Sequence, residues 1–256
     1  MTLIIQFLER EAVMQIEGTV ALVTGANRGI GKAFAEALLE RGASKVYAAV
    51  RDTSTITDPR LVPVRLDITD PDRIAAVAAE LDDVQLVVNN AGVGAPDFPL
   101  NATLDTARQE METNYLGVIT MTQAFAPVLA RNGGGAFVNM LSAVSWVASP
   151  LITTYAASKS AAWSYTNAAR IQLGSQGTQV VGVHVGLVDT DLTAFLNRDK
   201  IPPADVATSA LDALEADERE AIVDERSRLL KAGLSDDQHV LYPQVEQEFL
   251  ALARAA

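Results

Sequence analysis

One segment constrains the chain more than any other. The apolar run Val20–Thr24 leads straight into Gly25-Ala26-Asn27-Arg28-Gly29-Ile30-Gly31, and helix-forming sequence follows at once. Glycine lets a backbone turn sharply, approach a ligand closely and pack a new helix tightly on a sheet. The start of that helix then offers unpaired N–H groups and the positive end of its dipole, which is a seat for phosphate. The spacing is Gly-x-x-x-Gly-x-Gly, so the commoner Gly-x-Gly-x-x-Gly signature does not apply as it stands. A tight strand-to-helix turn with no ligand would use the same residues, and the rest of the chain has to decide.

The rest of the chain repeats the pattern. Short aliphatic runs at 46–50, 62–66, 86–89, 136–141, 180–185 and 221–223 alternate with helical stretches at 32–41, 73–81, 104–131 and 154–173. Strands alternating with helices predict βαβ units with right-handed crossovers. The expected fold is therefore α/β: a Rossmann-type three-layer α/β/α sandwich around a doubly wound, mostly parallel sheet of about seven strands. Such a sheet needs an aliphatic core, and the residues are 49% hydrophobic but only 5% aromatic. No linker or repeat divides residues 14–256, which read as a single domain. Residues 1–13 read as a peripheral N-terminal extension, lacking the basic leader and cleavage site of a secretory signal.

Composition removes several classes of function. The net charge of −12 disfavours nucleic acid and anionic membrane as partners. Cysteine is absent and His184 and His239 are the only histidines, so no metal site is expected. No apolar run approaches the roughly 18 to 20 residues needed to cross a bilayer, and a cytoplasmic location is the simplest reading.

Four residues carry candidate chemistry. Tyr155 and Lys159 are four apart in a helical stretch, hence on one face. An ammonium beside a phenol favours the phenolate and brings the group towards working pH. Ser142 closes the fifth apolar run, at the strand edge where open α/β sheets bind ligands. Asn114 falls within an apolar stripe of Leu104, Ala107, Met111, Val118, Met121 and Phe125, where an amide must find partners.

Together these residues resemble the short-chain dehydrogenase/reductase family, in its subtype of about 250 residues. The resemblance runs from about Glu17 to the C-terminus. It rests on Thr24, Gly25, Gly29, Ile30 and Gly31, on Asn89-Asn90-Ala91-Gly92, and on Asn114, Ser142, Tyr155 and Lys159 in order. It implies an oxidoreductase acting on a small-molecule carbonyl or alcohol. Tyr155 would be the general acid or base, Lys159 would hold the nicotinamide ribose and lower the tyrosine's pKa, Ser142 would orient the substrate oxygen, and Asn114 would help hold a relay water. It implies cofactor contacts at Gly25, Asn27, Arg28, Gly29, Ile30, Gly31, Arg51, Asp67, Ile68, Asn89, Ala91 and Gly92, and at Tyr155, Lys159, Gly186, Val188 and Thr190. Val185 stands where the family usually has proline. Dimers and tetramers are common among relatives, and a homodimer or homotetramer is expected.

The expected cofactor is NADP(H). Val50 stands where an NAD enzyme of this fold places an acid, Arg51 follows, and Arg28 lies in the glycine loop. Asp52 complicates this, since it can turn inward to a bare ribose. The substrate is expected to be lipophilic, lined by Val144, Trp146, Leu151, Leu187, Leu192 and Phe195. Two alternatives stay open at this level: a nucleotide-binding redox sensor on the same fold, and an NAD(H)-preferring dehydrogenase.

Overall fold

A computed structural model describes residues 13–194, 196–243, 245–247 and 250. Of the expected N-terminal extension only Val13 lies within that range. Seven strands form one parallel sheet: β1 Val20–Thr24, β2 Lys45–Val50, β3 Val62–Arg65, β4 Leu86–Asn89, β5 Ala136–Met140, β6 Gln179–His184 and β7 Glu220–Ile222. Their order across the sheet is β3-β2-β1-β4-β5-β6-β7. The chain winds outward from β1 in one direction, then crosses to β4 and winds outward in the other. A crevice therefore opens between β1 and β4 at their carboxyl ends, where ligands of open α/β sheets bind.

Helices cover both faces. On one face α1 (Gly29–Glu40) and α6 (Pro203–Glu215) bury Phe34, Leu38, Leu211 and Leu214 against Val23, Val88 and Val138. On the other, α2 (Pro71–Glu80), α4 (Gly117–Arg131) and α5 (Thr153–Leu173) bury Ile74, Phe125, Leu129 and Leu173 against Leu22, Val87 and Phe137. The central strands are apolar on both faces because each face carries a helical layer. Among the described residues no helix is long and apolar enough to cross a membrane.

The stretch expected as one helix over 104–131 has an internal change of phase. Helix α3 (Leu104–Met111) runs into a π-helical turn at Glu112–Leu116 before α4 begins. The wide turn inserts one extra residue and rotates α3 relative to α4. Leu104, expected in the buried stripe, is therefore 71% exposed, and Glu110 is turned inward instead, 1% exposed.

Candidate active site

The glycine loop and the loop after β4 are built into each other. Thr24 Oγ1 accepts from the N–H groups of Asn90 and Ala91, both at 3.0 Å, and Asn90 Nδ2 donates to Thr24 O at 2.9 Å. Gly25 has φ +68°, a conformation a side chain resists. A Cβ at Gly31 would stand 2.2 Å from Gly25 O, so Gly31 serves the close packing of α1 on the loop. The first turn of α1 has no side-chain cap and no acidic residue. Its N–H groups thus remain available to an anion at the mouth of the crevice.

A cleft of about 1540 Å³ extends from this loop along the carboxyl edge of the sheet. Gly25, Asn27, Arg28, Gly29, Ile30, Arg51, Asp67, Ile68, Ala91, Gly92, Gly186, Val188 and Thr190 all line it. Asn89 does not reach it: the residue is buried in β4 and its Nδ2 donates to Asn139 Oδ1 at 2.8 Å. Asn90, absent from the expected contacts, lines the cleft in its place. Asn89 is the last residue of β4 and is tied to the neighbouring strand through Asn139, whereas Asn90 opens the loop beyond the sheet edge.

The charged rim is ordered by local bonds. Asp52 Oδ1 accepts from Ser54 N at 3.0 Å and Ser54 Oγ at 2.7 Å, which lowers its pKa and commits that oxygen to its own turn. Asp67 is held below the usual carboxylate range by the Thr69 backbone N–H and then its hydroxyl, with the Arg51 charge adding to the effect. Arg28 pairs with Asp191, across the mouth of the cleft.

The four candidate catalytic residues come together at the inner end. Ser142 follows β5 and Lys159 lies one turn beyond Tyr155 on α5, all three lining the cleft. The Ser142 hydroxyl is in hydrogen-bond reach of the Tyr155 phenol, and it also donates to Val185 O at 3.4 Å. Lys159 Nζ lies 5.7 Å from the tyrosine ring centroid and donates to Met140 O at 2.8 Å. Asn114 sits in the π turn. Its Oδ1 accepts from Val93 N at 2.9 Å, and its Nδ2 donates to Val93 O at 2.7 Å and Ser158 Oγ at 2.9 Å. It joins the loop after β4 to α5.

The electrostatics differ from the expectation in one respect. Loss of solvation pushes the Tyr155 phenol up to about 12, with the Ser142 bond pulling down and the Glu110 charge pushing further up. Loss of solvation also brings Lys159 down to about 8. The ammonium is turned to Met140 O.

At the substrate end Val144, Leu151, Leu187 and Leu192 line the cleft, joined by Phe98, Val147, Pro150, Leu230 and Val245. Trp146 does not. Its ring stacks on His184 with centroids 3.8 Å apart, under Lys231 Nζ. Phe195 lies outside the described residues. Sequence reasoning also missed His184 and Asp224. His184 is fully buried with Nδ1 3.1 Å from Ser142 O, while Asp224 accepts from Gly186 N at 2.8 Å and caps the helix α7 (Glu225–Ala232). An apolar strand gives no sign that its last residue will back the serine that follows the neighbouring strand.

Glu220 anchors the far side of His184. The carboxyl is held down to about 2, first by His184 and then by Lys231, whose Nζ is 2.7 Å away. A depressed carboxylate contributes stability above its ordinary pKa and loses it as pH falls through the folded value. Solvent screening limits this to about 1 kcal/mol, or roughly 2–4 °C in a chain of this size. Glu220→Gln is expected to lower the neutral-pH thermal midpoint by that amount, with the difference from wild type fading between about pH 4.5 and 2. A constant difference across that range in calorimetry would contradict the assignment.

Comparison with known proteins agrees with this architecture. The family model described as short chain dehydrogenase matches residues 19–201. The chain is 32% identical over 196 residues to the 3-oxoacyl-[acyl-carrier-protein] reductase of Vibrio cholerae, covering 73% of this chain and 80% of that protein. It is 34% identical over 190 residues to a sorbitol dehydrogenase of Cereibacter sphaeroides, covering 69% and 73%. Among solved structures, a short chain dehydrogenase from Burkholderia cenocepacia in complex with NADP superposes with a TM-score of 0.87 at 40% identity, covering 91% of this chain and 99% of that one. A relative from Burkholderia phymatum in complex with NAD has a TM-score of 0.74 at 23% identity, covering 86% and 95%, and speaks for the fold alone. The chain belongs to the short-chain dehydrogenase/reductase family, and is an oxidoreductase of that family.

Proposed function

We propose that the protein reduces a lipophilic carbonyl compound with NADPH, or oxidises the corresponding alcohol with NADP+, using Tyr155 as general acid or base. The observation that carries this is the convergence of Tyr155, Ser142 and Lys159 at the inner end of a cleft whose outer end is a glycine loop with free helix-terminal N–H groups. The loop and first turn of α1 suit a pyrophosphate, Asp67 and Ile68 an adenine, and Gly186, Val188 and Thr190 a nicotinamide amide. Bound there, the reduced nicotinamide supplies a hydride.

The chain's own residues do the rest. Ser142 Oγ holds the substrate oxygen beside the Tyr155 hydroxyl, which donates its proton as charge develops on that oxygen. Lys159 grips ribose hydroxyls from its position beneath Gly92. Three hydrogen bonds of the Asn114 side chain tie the loop after β4 to the Tyr155–Ser158 turn, and from there Asn114 helps to hold a water that passes the proton to solvent. The apolar wall favours a lipophilic substrate over a sugar or carboxylate. A homodimer or homotetramer assembled on α4 and α5 is part of the proposal, and light scattering at micromolar concentration would return a monomer mass if it fails.

NADP(H) is favoured over NAD(H) by Arg51 and Arg28 and by the commitment of Asp52 to Ser54. The Arg28–Asp191 pair is 69% and 72% exposed and worth at most about 1 kcal/mol, so a 2′-phosphate can recruit Arg28 cheaply. Charge-assisted hydrogen bonds contribute about 1.5–3 kcal/mol. The expected preference in kcat/KM is therefore about tenfold to a hundredfold for NADPH over NADH, and Arg51→Ala should remove most of it. Equal or better efficiency with NADH in the wild type would overturn the cofactor assignment.

A further inference from the structure

Strand β6 is apolar between its ends, and its last residue, His184, is fully buried. An imidazole is costly to bury unless its nitrogens find partners. Both ring nitrogens of His184 face oxygen. Nδ1 lies 3.1 Å from Ser142 O, and because a carbonyl can only accept, Nδ1 carries a hydrogen and donates it. Nε2 faces Glu220 Oε1 of β7 at 3.5 Å, a contact longer than a full hydrogen bond. The plane of the ring is fixed as well. Trp146 stacks on it with centroids 3.8 Å apart and planes 18° from parallel. Lys231, from α7, lies 4.8 Å from the centre of the Trp146 ring and donates to Glu220 Oε2 at 2.7 Å.

The other end of this contact is the residue whose hydroxyl is in reach of Tyr155. Ser142 lies past the end of β5 and opens a 3₁₀ turn, Ala143–Ser145. Its backbone is gripped from two directions. Ser142 N donates to Ser145 Oγ at 3.1 Å, and Ser145 O accepts from Ser160 Oγ of α5 at 2.9 Å, which ties the serine to the helix of Tyr155. Ser142 O accepts from Ser145 N within the turn at 3.0 Å, and His184 takes its second lone pair. Ala143 N, at the other end of the same peptide unit, donates to Val185 O at 3.0 Å. The peptide after Ser142 is thus held by two consecutive residues, His184 and Val185. Tilting that peptide would move the serine's Cβ, and the hydroxyl with it.

We propose, on the reading of Ser142 as the group that orients the substrate oxygen, that His184 is a positioning residue whose Nδ1–H holds the Ser142 carbonyl and so keeps the serine hydroxyl beside Tyr155. Trp146 and Glu220 hold the imidazole for that bond. His184 does not line the cleft, so it acts through Ser142 and not on the substrate. The chain of contacts Ser142–His184–Glu220–Lys231 thereby couples the site to β7 and α7, two elements that carry none of its proposed acid–base groups.

The test separates the bond from the packing. His184→Phe keeps a flat ring against Trp146 but has no donor. His184→Asn loses the stack but places an amide nitrogen where Nδ1 stood, since both atoms are bonded to Cγ. On a carbonyl that the wild type reduces, kcat of His184→Phe should fall about tenfold to a hundredfold, the scale of a reacting group displaced by about 1 Å. Its NADPH affinity should stay within about twofold of wild type. His184→Asn should restore kcat to within about threefold, even though the lost stacking lowers its thermal midpoint. Activity that instead follows the thermal midpoints, with His184→Asn the poorer enzyme, would overturn the proposal. Nitrogen-15 NMR of the histidine rings reads the bond without substrate. The chain has two histidines, so His184→Asn assigns the spectrum. A hydrogen on Nδ1 of His184, protected from exchange, is expected. An Nδ1 without one would overturn the proposal, whether or not His184→Phe folds. A wild type that reduces no carbonyl would count against the proposed function, while the NMR signal would still decide whether the bond exists.

Discussion

Tyr155→Phe is expected to lower kcat for carbonyl reduction by about 10²- to 10⁴-fold, the usual contribution of a positioned acid or base. NADPH affinity should change by less than about twofold, because the lost atom is a single hydroxyl and any cofactor contacts at Lys159, Gly92 and the glycine loop stay in place. The ring remains, so the packing of α5 and the thermal midpoint should hold. Burial pushes the phenol up to about 12, with the Ser142 bond pulling down and the Glu110 charge pushing up, so the hydroxyl carries its proton at neutral pH. Steady-state kinetics beside fluorescence titration of NADPH would check both halves, and near-normal turnover would remove Tyr155 from the mechanism.

Lys159→Ala should differ by damaging both binding and rate. Lys159 is 5% exposed and lies one turn from the tyrosine. A lost charge-assisted hydrogen bond of about 1.5–3 kcal/mol should weaken NADPH binding at least about tenfold. The rate should fall by a further order of about 10² as the cofactor loses its alignment with the substrate. The pH dependence has a sign. Burial brings the lysine down to about 8, so the ammonium is present below that pH and is lost as pH rises through it. The affinity advantage of wild type over Lys159→Ala should therefore shrink above about pH 8. An advantage constant with pH would show that the lysine acts only through packing.

The fold was legible in the residues wherever periodicity and glycine placement speak. All seven strands fall within a residue or so of the apolar runs, and the βαβ alternation dictated a parallel sheet with its crevice beside the glycine loop. Order along the chain was also enough to gather Ser142, Tyr155 and Lys159, because they sit just past a strand end and in the first two turns of a helix facing that crevice. What was not legible depends on side-chain direction and on contacts far apart in sequence. One extra residue in the π turn exposed Leu104 and buried Glu110, which no helical wheel over 104–131 would show. Asp97 looks like a loop carboxylate until the start of α5, 56 residues on, is found against it. Trp146 has the composition of a pocket wall, but the flat face of buried His184 offered it a better partner. Burial, which periodicity does not measure, also reversed the expected direction for the tyrosine.

The most direct test of the account follows the hydride itself. The purified protein would be incubated with NADPH carrying deuterium at both C4 positions and a panel of lipophilic aldehydes and ketones, with product alcohols read by mass spectrometry. The account predicts one deuterium on the former carbonyl carbon for at least one compound, NADPH consumed in equal amount, and no such product from Tyr155→Phe above a hundredth or so of the wild-type rate. Consumption of NADPH without deuterium in any product, or transfer undiminished in Tyr155→Phe, would contradict it.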